Sequence, residues 1–352
     1  MSWPTLTVRL QQKVIRYLDY ESRCNLRICS KDDKDSVDSV KFNPKTLMLY
    51  EITSDMSEEK TIVRMQIDTF KMWFIGKNNI TKVDKSWNGE LVDELSELKQ
   101  ENRYDVIRRY LTRMSLDGII QAESIKLDDL SFSPPETLKF KCDNLEASYI
   151  GNNHDALWMK QFILEFKNLT IIKYHPHEDI GFTYSELKVS NSLNLNCDIG
   201  ITDKDLLEIK ATSLNISSQL ITVEGAKKAL ERFLKRGKKT DTFVLEIRRP
   251  ENFNAQEHII PKSLVIRKII RRGETEDEYY GKIFRGFENE NGVQDVRDFN
   301  SSLMGDKLIV SCSVYEKSET PCQLYPFYYS YALDFNKKIP FVIFRSHVPE
   351  GS

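Results

Sequence analysis

The chain has 352 residues, of which 40% are hydrophobic, 30% charged and 11% aromatic, with 14 Gly and 11 Pro. At about 100–200 residues per domain it can hold two or three folding units, and this composition excludes collagenous, low-complexity and wholly disordered classes. The 51 Lys and Arg stand against 53 Asp and Glu, a formal charge of −2, so no net field draws the whole molecule to nucleic acid or an anionic membrane and any basic site must be local.

The amino-terminal stretch is interrupted by Arg9, Lys13, Arg16 and Asp19 before an apolar secretory core can build up. Apolar runs elsewhere, such as Phe341–Phe344, fall far short of the ~20 residues that span a bilayer as a helix. The expectation is a soluble protein of the cytoplasm or nucleus. Six cysteines (Cys24, Cys29, Cys142, Cys197, Cys312, Cys322) form no Cys-x-x-Cys pair, which predicts reduced thiols packed as small hydrophobes.

Leu10, Val14, Ile15 and Leu18 lay an apolar stripe along a first helix. A second carries Leu26, Ile28 and Cys29, and the polar run Ser30–Lys34 is expected to stop it. About thirty residues of this kind cannot enclose a core, so they must pack on the rest of the chain or on a partner. From Val37 onward, Val40–Phe42, Leu47–Ile52, Thr61–Ile67 and Phe70–Ile75 carry strand signals. Leu91, Val92, Leu95 and Leu98, then Val106, Ile107, Tyr110, Leu111 and Met114, predict one kinked helix or two consecutive ones.

The middle of the chain holds two strand–helix–strand units. One is Leu138–Leu145, a helix over Asp155–Lys167 with Leu157, Phe162, Ile163 and Phe166 inward, and Leu169–Tyr174. The other is Ser213–Ser217, a helix with Val223, Ala226, Leu230, Phe233 and Leu234 inward and Gly237 as its stop, and Phe243–Arg248. Such units place parallel strands side by side, which predicts a short solenoid, irregular because the regular leucine-rich spacing is missing. Beyond the Glu251–Glu257 loop, Leu264–Ile270, Tyr279–Phe287, Lys307–Tyr315, Leu324–Phe335 and Phe341–Arg345 predict antiparallel hairpins closing the sheet, with Gly273–Glu278 and Glu288–Asn300 as exposed loops.

Candidate chemistry is sparse. His175-Pro176-His177-Glu178-Asp179 offers ligand atoms, but Pro between the histidines favours a turn and no further His or Cys lies at finger-like spacing. Gly237-Lys238-Lys239-Thr240 fails as a phosphate loop because Arg232 and Lys239 occupy the required Gly and hydroxyl positions. Neither a nucleophile elbow nor a His-Glu-x-x-His pair is present, and no enzyme, metal or cofactor is expected. The basic clusters Arg232–Lys239 and Arg267–Arg272 are self-neutralised, by a helix dipole and by Glu274, Glu276, Asp277 and Glu278. A nucleic-acid groove would need them to converge with stacking aromatics, and is not expected. The aromatic run Tyr325–Tyr331 favours a half-buried strand over an exposed recognition surface.

The run Leu6-Thr7-Val8-Arg9-Leu10 through Cys29-Ser30-Lys31 resembles the opening of an F-box, with Leu6, Leu10, Val14, Ile15 and Leu18 on its apolar positions and Leu26, Ile28 and Cys29 in its second helix. Thr7 stands where that family usually has Pro, and Asp32-Asp33 where an aromatic often follows. Ile201–Leu207 through Arg232–Lys235, then Leu264–Arg272 and Ile309–Val314, look like the F-box-associated domains of the large nematode F-box families.

The resemblance implies an α+β protein with three parts. They are a small F-box over 1–36, a strand-rich then helical connecting region over 37–120, and an irregular leucine-rich-repeat-like α/β sheet domain over 121–352 that ends in antiparallel strands. It also implies a non-catalytic substrate receptor of a Skp–cullin–F-box ubiquitin ligase. Leu6, Leu10, Val14, Ile15, Leu18 and Leu26 would form the surface for a Skp-type adaptor or its immediate support, the cullin being reached through the adaptor. The carboxy-terminal domain would hold an unidentified target protein. The competing expectation is an interaction scaffold with a degenerate F-box and no ligase role.

Overall fold

The computed structural model describes residues 3–53, 61–77, 79–87, 90–91, 97–115, 117–149, 153–173, 186–196, 200–237 and 241–248, and the backbone of four strands between 268 and 316. Met1–Lys317 makes one compact unit, the one described below.

Three helices come first, α1 (Val8–Tyr17), α2 (Tyr20–Cys29) and α3 (Lys31–Asp38), after a 3-10 turn at Trp3–Thr5. The polar run that composition assigns to a stop is instead the start of α3. Ser30 accepts from the Asp33 backbone N–H, and Asp32 and Asp33 occupy the first turn, where negative charge suits the helix dipole. The helical module therefore runs past residue 36. Ile15, Val37 and Val40 form its own small core, with Trp3, Leu18 and Leu26 packed against them. Val40–Phe42 is irregular chain, not strand.

The rest is one mixed sheet, and the class is α+β. A meander opens it: β1 (Thr46–Thr53), β2 (Thr61–Ile67), β3 (Phe70–Lys77) and β4 (Ile80–Trp87), with the short β5 (Glu90–Leu91) and β6 (Glu97–Lys99) both on β4. The helix expected over 91–98 is thus wrong in its described part: Leu98, 76% exposed, lies on an edge strand where no second face needs covering. Only the second half is helical, as α4 (Arg103–Met114), which buries Val106, Ile107, Leu111 and Met114.

A parallel array follows: β7 (Ile119–Asp128), β8 (Lys139–Tyr149), β9 (Glu165–Lys173), β10 (Lys188–Asn196), β11 (Ser213–Ser218) and β12 (Thr242–Arg248), with β1 joining as its first member through β7. Two registered rows run across it, Leu47–Ile125–Leu145–Leu169–Leu193–Leu214–Phe243 and Leu49–Leu127–Ala147–Ile171–Leu195–Ile216–Leu245, and every member is buried. Buried residues of α4, α5 (Asn153–Met159), α6 (Asp203–Glu208) and α7 (Val223–Arg236) join the same core. Cys142 sits in it, and burial pushes its thiol up to about 12. Cys29, by contrast, is exposed.

The solvent-facing rows are polar and tie the strands sideways. The Asn191 amide donates to Asn168 Oδ1 (2.7 Å), Asn168 to Asn144 Oδ1 (2.6 Å), and Asn144 to the Glu123 carbonyl (3.1 Å). Antiparallel strands β13 (Lys268–Arg271), β14 (Tyr280–Asn289), β15 (Gly292–Met304) and β16 (Lys307–Glu316) complete the sheet, with β16 on β12.

Several expectations change here. The segment Glu288–Asn300 is the end of β14 and most of β15, because a polar strand at a sheet end needs no apolar alternation. The helix expected over Asp155–Lys167 stops at Met159. Phe162 bridges Phe140 and Phe166 is buried on β9, so those rings are inward from extended chain, and Leu157 is 40% exposed. Gly237 ends α7 at φ −57°, without the left-handed turn that makes glycine special at that position. Strands β7 and β10 carry no separate sequence expectation. His175–Asp179, Lys238–Thr240, Glu251–Glu257, Gly273–Glu278 and 318–352 lie outside the described residues.

Candidate functional site

The helical module is the best-defined candidate surface. Along α1, Leu10, Val14 and Tyr17 recur at spacings of four and three and so share one side of the helix. They are 45%, 43% and 91% exposed, an apolar stripe with no cover. Ile15 points the other way and is fully buried, with Leu18 and Leu26 packed beside it. Leu6 is half-buried at the entry to the helix, where its N–H donates to the Trp3 carbonyl (3.1 Å). Of the six residues singled out from sequence, Leu10 and Val14 present surface, Leu6 lies between surface and core, and Ile15, Leu18 and Leu26 hold the stripe from beneath. Tyr17 and the exposed Ile28 were not singled out, although Tyr17 completes the helical spacing that Leu10 and Val14 begin.

Polar side chains fix this module. The Trp3 indole N–H donates to Asp33 Oδ1 (2.6 Å), and the Gln11 amide donates to the Trp3 carbonyl (3.2 Å), so the entry turn is tied to both α3 and α1. Thr7 caps α1 at φ −61°, the value a proline ring imposes, and its carbonyl accepts from Leu10 and Gln11. Thr7 therefore holds a backbone conformation that proline could also adopt. Arg23 is buried: Nη1 donates to the Val40 carbonyl (2.9 Å) and Nε to the Leu18 carbonyl (3.3 Å), with the guanidinium 4.9 Å from the Phe42 ring centroid. Tyr20 contacts Phe42 (5.5 Å) and Phe70 (5.7 Å), fastening α2 to the sheet.

This geometry coincides with what family comparison finds. Residues 3–45 match the model of the F-box domain. The amino-terminal module is an F-box. F-box domains bind the Skp-type adaptor within cullin-based ubiquitin ligases, and proteins carrying them are generally non-catalytic adaptors, so the match points to a substrate-adaptor role. Its end at residue 45 takes in all of α3 and the Arg23 anchor points Val40 and Lys41. No curated protein and no solved structure matches the chain.

Among the described residues no helix is long and apolar enough to cross a membrane, and no three His, Cys, Asp or Glu side chains come together as a metal site. Arg232, Lys235 and Arg236 lie on α7, whose last turn holds two of them against the helix dipole. Lys268 and Arg271 are on β13, and Arg267 and Arg272 lie outside the described residues.

The Trp3–Asp33 tie is pH-dependent in a definite direction. Hydrogen bonds from the Ser30 hydroxyl and the Trp3 indole hold the Asp33 carboxyl below its usual range. A depressed folded value stabilises the F-box above the unfolded pKa of about 3.9 and loses that contribution as pH falls through the folded value. Wild type is therefore expected to unfold at higher urea than Asp33→Asn near pH 6. The gap should close as pH is lowered below about 4, and a gap constant from pH 6 to pH 3 would refute the linkage.

Proposed function

We propose that the protein is the substrate receptor of a Skp–cullin–F-box ubiquitin ligase. The F-box binds the Skp-type adaptor and through it the cullin, while the sheet domain holds a target protein. The observation that carries this reading is the F-box match combined with an exposed Leu10–Val14–Tyr17 stripe on a module whose own small core is Ile15, Val37 and Val40 with Trp3, Leu18 and Leu26 packed against them. Leu6, Leu10 and Val14 meet the adaptor, and Ile15, Leu18 and Leu26 keep α1 in position. Ubiquitin transfer is then a matter of proximity, with tethering raising the effective concentration of target near the transferring enzyme, and no side chain of this chain does chemistry. The registered Leu rows support reading the parallel array as leucine-rich-repeat-like, and the order of F-box, array and antiparallel end supports a nematode-type F-box-associated domain. The site of action is the cytoplasm or the nucleus.

The test is co-purification of the full chain with a Skp-type adaptor. Full burial of an aliphatic side chain is worth about 1.5–3 kcal/mol and these two are already half covered, so Leu10→Glu with Val14→Glu is expected to weaken adaptor binding at least about tenfold. Thermal unfolding should stay at the wild-type value, because both positions are exposed. Undiminished adaptor binding by that variant, or none by wild type, would remove the assignment and leave an interaction scaffold with a structural F-box.

A further inference from the structure

The open face of the sheet carries a second cluster, on the meander, that adaptor docking does not use. Tyr50 of β1 pairs in register with Arg64 of β2, and Arg64 with Trp73 of β3, so the three side chains stand in one cross-strand row. The guanidinium carbon lies 5.0 Å from the Tyr50 ring centroid and 5.6 Å from that of Trp73. Nη2 donates to Gln66 Oε1 (3.1 Å), and Nε is buried with no acceptor. Arg64 forms no ion pair among the described residues, nor does Lys71, which stands opposite Gln66 on the same face. Acids stand at both ends of the row, Asp84 in register with Trp73 and Asp128 with Tyr50, but neither makes an ion pair with Arg64: Asp84 pairs with Lys82 (2.9 Å), and Glu146, on the strand next to that of Asp128, pairs with Lys126.

An Arg in this setting has already lost the rotamer freedom it would give up on binding. Its planar fork is held between rings, each half-buried and so still presenting surface. Trp, Tyr and Arg are also the residue types that dominate binding energy at interfaces. Two cations with no ion pair among the described residues suit an anion, and one in-plane fork with a single lysine beside it matches a carboxylate monoanion, which accepts two parallel N–H donors. A phosphate dianion would draw on a larger set of cations.

We propose that Arg64, clamped between Tyr50 and Trp73 with Lys71 alongside, anchors an acidic side chain of the target protein, whose flanking apolar residues rest on the two rings. That the partner is a ligase target rests on the receptor reading; the carboxylate chemistry does not.

The probe is a fluorescein-labelled peptide of Ser-Leu-Glu repeats, with matched peptides carrying Gln or phosphoserine in place of Glu, titrated with the full chain and followed by anisotropy. The Glu peptide should bind, the Gln peptide at least tenfold more weakly, and the phosphoserine peptide no tighter than the Glu one. Arg64→Gln should lose at least tenfold, Arg64→Lys should fall between, and Lys71→Gln, at a half-buried position beside the row, should weaken binding about threefold with unchanged thermal unfolding. No binding by wild type, equal binding of the Gln peptide, retention by Arg64→Gln, or binding confined to the phosphoserine peptide would each overturn the proposal. Adaptor co-purification separates the two readings. Its loss in wild type refutes the receptor role while the peptide series still judges the anchor, and Arg64→Gln should leave it intact.

Discussion

Glu51→Ala is expected to cost about 3–5 kcal/mol of unfolding free energy, the penalty of stripping one partner from a buried charged network. Glu51 is on β1 with its side chain 1% exposed. Its carboxylate accepts from the Tyr104 hydroxyl (2.7 Å), the Ser131 backbone N–H (2.8 Å) and the Ser131 hydroxyl (2.7 Å), with Arg103 Nη2 at 3.8 Å. Arg103 lies over the Tyr104 ring at 4.4 Å, against Gly76, where a Cβ would come within 2.9 Å of Nη1. Removing the carboxylate leaves the Ser131 backbone N–H without an acceptor and the Tyr104 and Ser131 hydroxyls with only each other (2.8 Å), while Arg103 Nη2 keeps the Tyr104 hydroxyl oxygen (2.7 Å) but loses the nearby negative charge. Glu51→Gln keeps the shape but turns a donor toward Tyr104 or Ser131, so it should fall between, at about 1–3 kcal/mol. Urea unfolding of the three proteins checks the order. A loss below about 1 kcal/mol for Ala would mean that the network contributes no more than a single ordinary hydrogen bond.

Arg23→Met should cost about 2–4 kcal/mol. Methionine retains a long stem beside Phe42 and removes only the donors, so the loss reports the carbonyls of Leu18 and Val40 left bare inside the F-box. Burial lowers the Arg23 pKa, so the charge sits there at a desolvation cost, and the Leu18 and Val40 carbonyls are its acceptors. Lysine carries its donors on one compact ammonium and has no planar fork to reach two carbonyls at once, so Arg23→Lys should recover less than half of the loss. Because Arg23 links the end of α1 to the chain entering β1, faster amide exchange is expected in α1–α3 while β7–β11 keep theirs. Uniform acceleration across both would place the residue in the global core instead.

Much of this was legible in the sequence wherever periodicity and burial agree. The α1 stripe, β1 to β3, α7 and the strand–helix–strand order of the array all follow from apolar spacing. It failed where polar atoms do the holding. Ser30–Lys34 looked like an interruption because a helix start on α3 depends on side-chain acceptance of backbone N–H groups, not on hydrophobic pattern. Strand β10 was invisible because its outward Ser and Asn residues are matched by a ladder from neighbouring strands, which exists only once the register is set. For the candidate site, spacing could name Leu10 and Val14 but could not separate them from Ile15, since facing inward or outward depends on where α3 lies. Arg23 gave no signal at all. An arginine on a short helix is ordinarily solvent-facing, and only the approach of the Val40 carbonyl makes it internal.

The meander β2–β4 lies in the chain between β1 and β7, although those two strands are neighbours in the sheet. Thr46 must therefore find Ser124 across the whole meander and α4, whereas Leu145 finds Leu169 across one short connection. Loop-closure entropy grows only slowly with length, by about 0.6 kcal/mol per doubling, so this long pairing is affordable at equilibrium but penalised in the search. Assembly should then begin at two separate places, the local hairpins of β1–β4 and the sequential strands of β7–β12. The seam between β1 and β7 closes last, and the Glu51 carboxylate meeting Ser131 is the latch that records its closure.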